Sequence, residues 1–136
     1  MPSRGNVTND EAAATGVLAD YYSAFSALEV KAVLPYFHEP CLFIGPQGLY
    51  AAPDYAALTA AIAPTMEGLR TRGYGRSELD IRQLKSLSAT AILVTGVALR
   101  YTLDGQEMER VGLTYVMHKA NDRWKIAVLI FHDTGE

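Results

Sequence analysis

The chain has 136 residues, of which 49% are hydrophobic and 20% charged, with a formal net charge of −3 and a single cysteine. That length supports one domain with its own buried core. One cysteine excludes an intramolecular disulfide framework and a cysteine-based structural zinc site. The mild acidity argues against a nucleic-acid or anionic-membrane surface. No run approaches the roughly 18 apolar residues of a membrane span, and Met1 to Asp10 is polar, unlike a signal peptide. A cytoplasmic domain is expected over residues 10–134, behind a polar tail at 1–9.

Thr8-Asn9-Asp10-Glu11 is a capping-box pattern, and its acidic pair suits the positive end of a helix dipole. Behind it, Leu18, Tyr21, Tyr22, Phe25 and Leu28 recur at spacings of three and four, one stripe of a first helix. A short second helix is expected over residues 29–37, limited by Pro35, which lacks an amide donor. His38-Glu39-Pro40 should break the helical pattern. Residues 41–45 then read as a strand, Pro46-Gln47-Gly48 as a turn and 49–52 as a returning strand. Pro53 is placed to open a third helix. Leu58, Ile62, Met66 and Leu69 form its apolar stripe, and Pro64 should kink it.

Four longer strands follow, over 77–87, 91–103, 106–119 and 124–133. Asp104-Gly105 is a strong two-residue hairpin signal, and Asn121-Asp122 a weaker one. Helices first and an antiparallel sheet afterwards define an α+β domain with the helices on one sheet face. Two-residue turns would set Arg100 opposite Glu109, Val111 opposite His132, Arg110 opposite Asp133, and His118 opposite Lys125. Alternation then gives two faces. One includes Val94, Ala98, Arg100, Glu109, Leu113, Tyr115, Ile126, Val128, Ile130 and His132; being the greasier, it should receive the helices. The other includes Leu93, Val97, Leu99, Thr114, Val116, Leu129 and Phe131. It is too apolar to stand wholly in water, so a homodimer through this outer face is expected.

The aromatic first helix, Tyr36-Phe37-His38-Glu39-Pro40-Cys41, Ile44-Gly45-Pro46-Gln47-Gly48, the kinked third helix, the long meander and the closing Arg123-Trp124-Lys125-Ile126 and His132-Asp133-Thr134 together resemble the nuclear transport factor 2-like superfamily. The similarity is to its SnoaL-like, ketosteroid-isomerase-like branch. It implies a cystatin-like roll: a cone-shaped curved sheet wrapped around the N-terminal helices, with a mostly apolar cavity at its open end. It also implies that dimers through the outer sheet face are common.

Carried over by position, the oxyanion-donor tyrosine of ketosteroid isomerases matches Tyr21. Their general base, an aspartate directly before the Pro-x-Gly turn, matches Gly45, which cannot take a proton. No aspartate matches their second oxyanion donor. The Asp-Arg-Asp relay of related epoxide hydrolases would have Arg100 at its centre but only Glu109 beside it. Scytalone-dehydratase-like sites are echoed by His132, Tyr115, Tyr21 and Glu109.

His132, expected inside the cone beside Arg100 and Glu109, is the candidate proton-transfer residue, because an imidazole titrates near neutrality. Tyr21 is the candidate catalytic hydrogen-bond donor. Arg100 and Glu109 could orient a carbonyl or carboxylate, against the plainer reading of a cross-strand ion pair. Tyr115, Phe43, Tyr50 and Phe25 are candidate walls for a flat apolar or amphipathic ligand, against ordinary core packing. His38-Glu39 reads as a solvated helix end, His118 as a surface or interface residue, and Cys41 as a small buried hydrophobe. With the histidines far apart in sequence, neither a metal site nor a cofactor is expected. Two functions are open: a cofactor-independent isomerase, dehydratase, cyclase or hydrolase of a small hydrophobic molecule, or a non-catalytic binding or dimerisation module on the same fold.

Overall fold

In the computed structural model, which describes residues 8–136, three helical segments lie against one six-stranded sheet. Helix α1 spans Asn9–Phe25 and is capped as expected: Thr8 Oγ1 accepts from the Glu11 amide at 3.0 Å, and Glu11 Oε1 accepts from the Thr8 amide at 2.9 Å. Thr8 and Asn9 are therefore cap and helix; residues 1–7 of the expected tail lie outside the described residues. The stripe of Leu18, Tyr21, Tyr22 and Phe25 is buried, together with Leu28 beyond the helix end.

The second helix is shorter than its apolar pattern. Helix α2 covers only Val30–Val33 and tightens into a 3-10 turn at Leu34–Tyr36, where Pro35 cannot donate a helical hydrogen bond. Strand β1, Phe37–Gly45, starts earlier than predicted and runs through His38-Glu39-Pro40, with an irregular register between Phe37 and Leu42. Strand β2 is Gly48–Ala52. Helix α3, Tyr55–Thr71, is opened by Asp54, whose carboxylate accepts from the Ala57 amide at 2.9 Å, rather than by Pro53. An aspartate cap outweighs a proline one residue earlier because it satisfies a free amide. The stripe of Leu58, Ile62, Met66 and Leu69 is buried, as the spacing required.

Strands β3 (Tyr74–Ser88), β4 (Ala91–Thr102), β5 (Glu107–Ala120) and β6 (Arg123–His132) form the predicted meander. The sheet order is β2-β1-β6-β5-β4-β3, with β1 parallel to β6 and every other pair antiparallel. Helices α1 and α3 pack on one face and enclose the core.

Two register details decide what that face contains. At the β4–β5 reversal, the Thr102 amide donates to the Gln106 carbonyl at 2.8 Å, so the loop is three residues long, not two, with Gly105 at φ 89°. A bulge then sets two residues, Glu107 and Met108, against Tyr101 and restores the pairing of Arg100 with Glu109. At the β5–β6 reversal, Asn121 and Asp122 both adopt positive φ, as a two-residue turn demands. His118 pairs with Lys125 as predicted.

Between Met117–Ile126 and Val116–Val128, however, Ala127 is an extra residue. A one-residue slip flips every later side chain. Leu129 and Phe131 therefore turn toward the helices, opposite Tyr115 and Leu113, while Val128, Ile130 and His132 turn outward. His132 pairs with Gly112, not Val111, and Arg110 does not face Asp133 across the ladder.

The outer face carries one covering of its own. Glu136 accepts from Arg110 Nη1 at 2.7 Å and from Arg82 Nη2 at 3.4 Å, so residues 133–136 lie back across β5 toward β3. On the same strands Val97, the cross-strand partner of Gly112, is only 1% exposed. The crossing requires Gly112: a Cβ there would stand 2.4 Å from the Asp133 carbonyl oxygen and 2.5 Å from that of His132.

Candidate ligand-binding site

The helices and the inner sheet face leave a cavity of about 540 Å³. Tyr21, Tyr22 and Phe25 reach it from α1, Ile62 from α3, and Phe43 and Tyr50 from the β1–β2 hairpin. The sheet contributes Ala98, Arg100, Leu113, Tyr115, Leu129 and Phe131. Of the residues singled out in the sequence, Tyr21, Phe25, Phe43, Tyr50, Arg100 and Tyr115 thus share one wall. Phe131, Leu129, Gln47, Thr65 and Ser77 line it as well, and the sequence reading missed them.

Tyr21 sits in an aromatic frame. Its ring meets Phe37 edge-on at a centroid distance of 5.3 Å, Tyr22 at 5.6 Å, Phe25 at 5.9 Å and Tyr115 at 6.4 Å. Such edge-to-face contacts fix ring orientation. Beside it, the Tyr22 and Tyr115 hydroxyls are 2.7 Å apart. Burial drives all three phenols upward: Tyr22 is pushed up to about 12 despite its hydrogen bond with Tyr115, and Tyr21 and Tyr115 also move well above the ordinary tyrosine range. All three are neutral donors at physiological pH. Arg100 opposes this shift in each but does not outweigh it.

Arg100 and Glu109 are opposite each other on the inner face, with Ser77 next in the same cross-strand row. Arg100 Nη1 donates to Glu109 Oε2 at 2.5 Å, and Arg72 Nη2, just beyond α3, donates to Glu109 Oε1 at 2.7 Å. The Arg100 side chain is 14% exposed and that of Glu109 26%, so the pair is more enclosed than a hairpin-tip ion pair. Burial alone would raise the Glu109 carboxyl; the hydrogen bonds from Arg72 and Arg100 outweigh it and hold the group below the usual glutamate range. Glu109 is therefore a carboxylate standing behind Arg100, not a cavity wall.

The expectation that His132 looks into the cone is corrected by the Ala127 bulge. Its Nε2 is 2.8 Å from Thr114 Oγ1, which is 2.9 Å from Thr95 Oγ1, all on the outer face. Its Nδ1 donates to the Asp133 carbonyl at 2.6 Å, so Nε2 accepts from Thr114 when the ring is neutral. His38 and His118, distant in sequence, meet with ring nitrogens 3.1 Å apart at an exposed position. No group of three or more histidine, cysteine, aspartate or glutamate side chains suited to a metal occurs among the described residues. Cys41 is buried, and burial pushes its thiol up to about 12, which suits a packing role. Among the described residues, no helix is long and apolar enough to cross a membrane.

The model of the family described as NTF2-like protein (DUF6841) matches residues 10–134. Among solved structures, the chain is similar to an NTF-2 like protein of unknown function from Shewanella oneidensis MR-1: 22% identity, TM-score 0.68, covering 91% of this chain and 98% of that one. It is also similar to a domain with a cystatin-like fold from Nostoc punctiforme, at 18% identity and TM-score 0.72, covering 93% and 78%. A ketosteroid isomerase-like protein from Erwinia carotovora atroseptica shares 15% identity with a TM-score of 0.63, covering 91% and 95%. At these identities the likeness is one of fold. No curated protein matches.

Proposed function

The chain belongs to the NTF2-like protein (DUF6841) family, and since a fold fixes no chemistry by itself, we propose from the cavity alone that it binds a small apolar or amphipathic molecule without transforming it. One observation carries this reading: no histidine, carboxylate, lysine or cysteine side chain stands on the cavity wall among the described residues. The wall holds tyrosines, one arginine and neutral residues. Isomerisation, dehydration and hydrolysis by proton transfer need a positioned group poised near the working pH. Gly45, at the position where the resemblance would put a base, offers none, and His132 stands on the other face. The aromatic frame and a volume of about 540 Å³ suit a flat ligand of moderate size.

The test is calorimetric titration with 2-naphthol, repeated on Ala61→Trp, which puts bulk into the cavity from α3. Wild type should bind, and the variant should lose at least about tenfold in affinity. Binding unchanged in a folded Ala61→Trp protein contradicts the reading.

The outer face supports a second proposal, a homodimer. Leu42, Val128, Val116 and Leu93 form a cross-strand row there, each only half-buried. Light scattering that finds only monomer at micromolar concentration removes it.

A further inference from the structure

We infer that the ligand of this cavity is a monoanion, a flat apolar body bearing one carboxylate, and that the carboxylate docks on Arg100. The inference rests on the cavity being a ligand site and adds what that ligand must carry. Three observations converge on it.

The first is a charge imbalance at the wall. Glu109 is one carboxylate divided between two guanidinium groups, one oxygen to Arg72 and the other to Arg100. The cluster therefore keeps one positive charge, and Arg100 is its enclosed member, 14% exposed against 50% for Arg72. A largely buried cation without a full partner is costly, so an anion arriving there gains more than it would at the surface.

The second is unused donor capacity. A guanidinium has five N–H groups. Only Nη1 of Arg100 is bonded to another described residue. The other nitrogens are not among the fully enclosed, partnerless atoms, of which Trp124 Nε1 is the one case among the described residues. Arg100 itself lines the cavity. A planar fork with free N–H groups matches a carboxylate in two bonds at once.

The third is that the neighbouring polar groups also donate. The Tyr21 hydroxyl forms no hydrogen bond to another described residue, and of the two protons on the Tyr22–Tyr115 pair only one lies between the oxygens. Both tyrosine sites are held neutral, so each can donate a hydrogen bond to an acceptor. A site that combines one net positive charge with spare O–H donors recognises an acceptor-rich monoanion. The aromatic frame around Tyr21 takes the flat part.

Calorimetry with 2-naphthoate and its neutral match 2-naphthamide decides the point on wild type, Arg100→Met and Arg100→Lys, with circular dichroism to check folding. Wild type should bind the acid at least about tenfold tighter than the amide. Arg100→Met, in which Arg72 still pairs Glu109, should bring the two within about twofold, with the acid losing more affinity than the amide. Arg100→Lys keeps the charge without the fork and should retain part of the preference, which covers the case that the methionine variant does not fold. Equal binding of acid and amide by wild type overturns the monoanion and leaves the cavity reading intact. Failure of both probes to bind overturns both. A preference for 2-naphthyl phosphate over naphthoate overturns the assignment of a single charge.

Discussion

Two polar rows cross the same strands on opposite faces of the sheet, and their surroundings differ completely. The inner row sets Glu109, Arg100 and Ser77 beneath the helices. Among the described residues, Arg100 is the one charged side chain on the wall of an aromatic cavity. The outer row runs from His132 through Gly112 to Val97, with the Asp133 carbonyl lying close over Gly112. Its histidine is exposed and tied to a threonine and a carbonyl. Titratable chemistry alone would favour His132 as the functional group; position favours Arg100. Which side chains can reach the cavity depends on the face they occupy, and one extra residue, Ala127, decides that face for the end of β6.

The contrast can be broken at several points. The largest effect should come from alkaline titration, which strikes the inner face. Above pH 10.0 the unfolded chain gives up tyrosine protons that folded Tyr21, Tyr22 and Tyr115 retain, their phenols being raised by burial. The unfolded state then binds fewer protons than the native state, so stability is complete below pH 10 and falls as pH rises toward and beyond 12. The slope should approach about 1.4 kcal/mol per pH unit for each tyrosine. Urea melts between pH 9 and 11.5 measure it; a flat midpoint over that range would show the three phenols to be in water.

Gly112→Val should come next, at about 3 kcal/mol or more. Its new side chain meets two backbone carbonyl oxygens that cannot step aside without displacing residues 133–136. Thermal unfolding reads this directly, and a loss below about 1 kcal/mol would mean that those residues do not cross the sheet there. Tyr115→Phe removes one half of the 2.7 Å hydroxyl pair and should cost about 1–2 kcal/mol. Adding Tyr22→Phe should cost less than a second, independent loss, which a double-mutant cycle would show. Smallest of all, His132→Ala should change stability by less than about 1 kcal/mol and leave the affinity for 2-naphthoate unchanged. A large loss of binding would return His132 to the site.

The helical half was legible residue by residue because its signals are local. The capping box at Thr8 and the stripes of α1 and α3 depend on spacing alone. Asp54 was the exception, a cap overlooked beside Pro53. The inner row was also legible, though for a partly mistaken reason. The three-residue loop and the Met108 bulge cancel, and the predicted pairing of Arg100 with Glu109 survives. No such cancellation occurs in β6. Ala127 lies between Ile126 and Val128 with no glycine or proline to mark it, so its bulge is set by how the curved sheet closes against β5 and β1. Leu129 and Phe131 were therefore assigned to the wrong face, and His132 to the cavity. Arg72 escaped notice because only tertiary folding brings the end of α3 to β5.

The central claim is that the cavity under the helices is the binding site and that Arg100 receives the ligand's charge. A crystal structure of the complex with 2-naphthoate tests it most directly. The naphthalene ring should lie within the frame of Tyr21, Phe25 and Tyr115, with carboxylate oxygens within about 3.2 Å of the Arg100 guanidinium. A ligand bound on the outer face beside His132, or inside the cavity with its carboxylate turned away from Arg100, would contradict it.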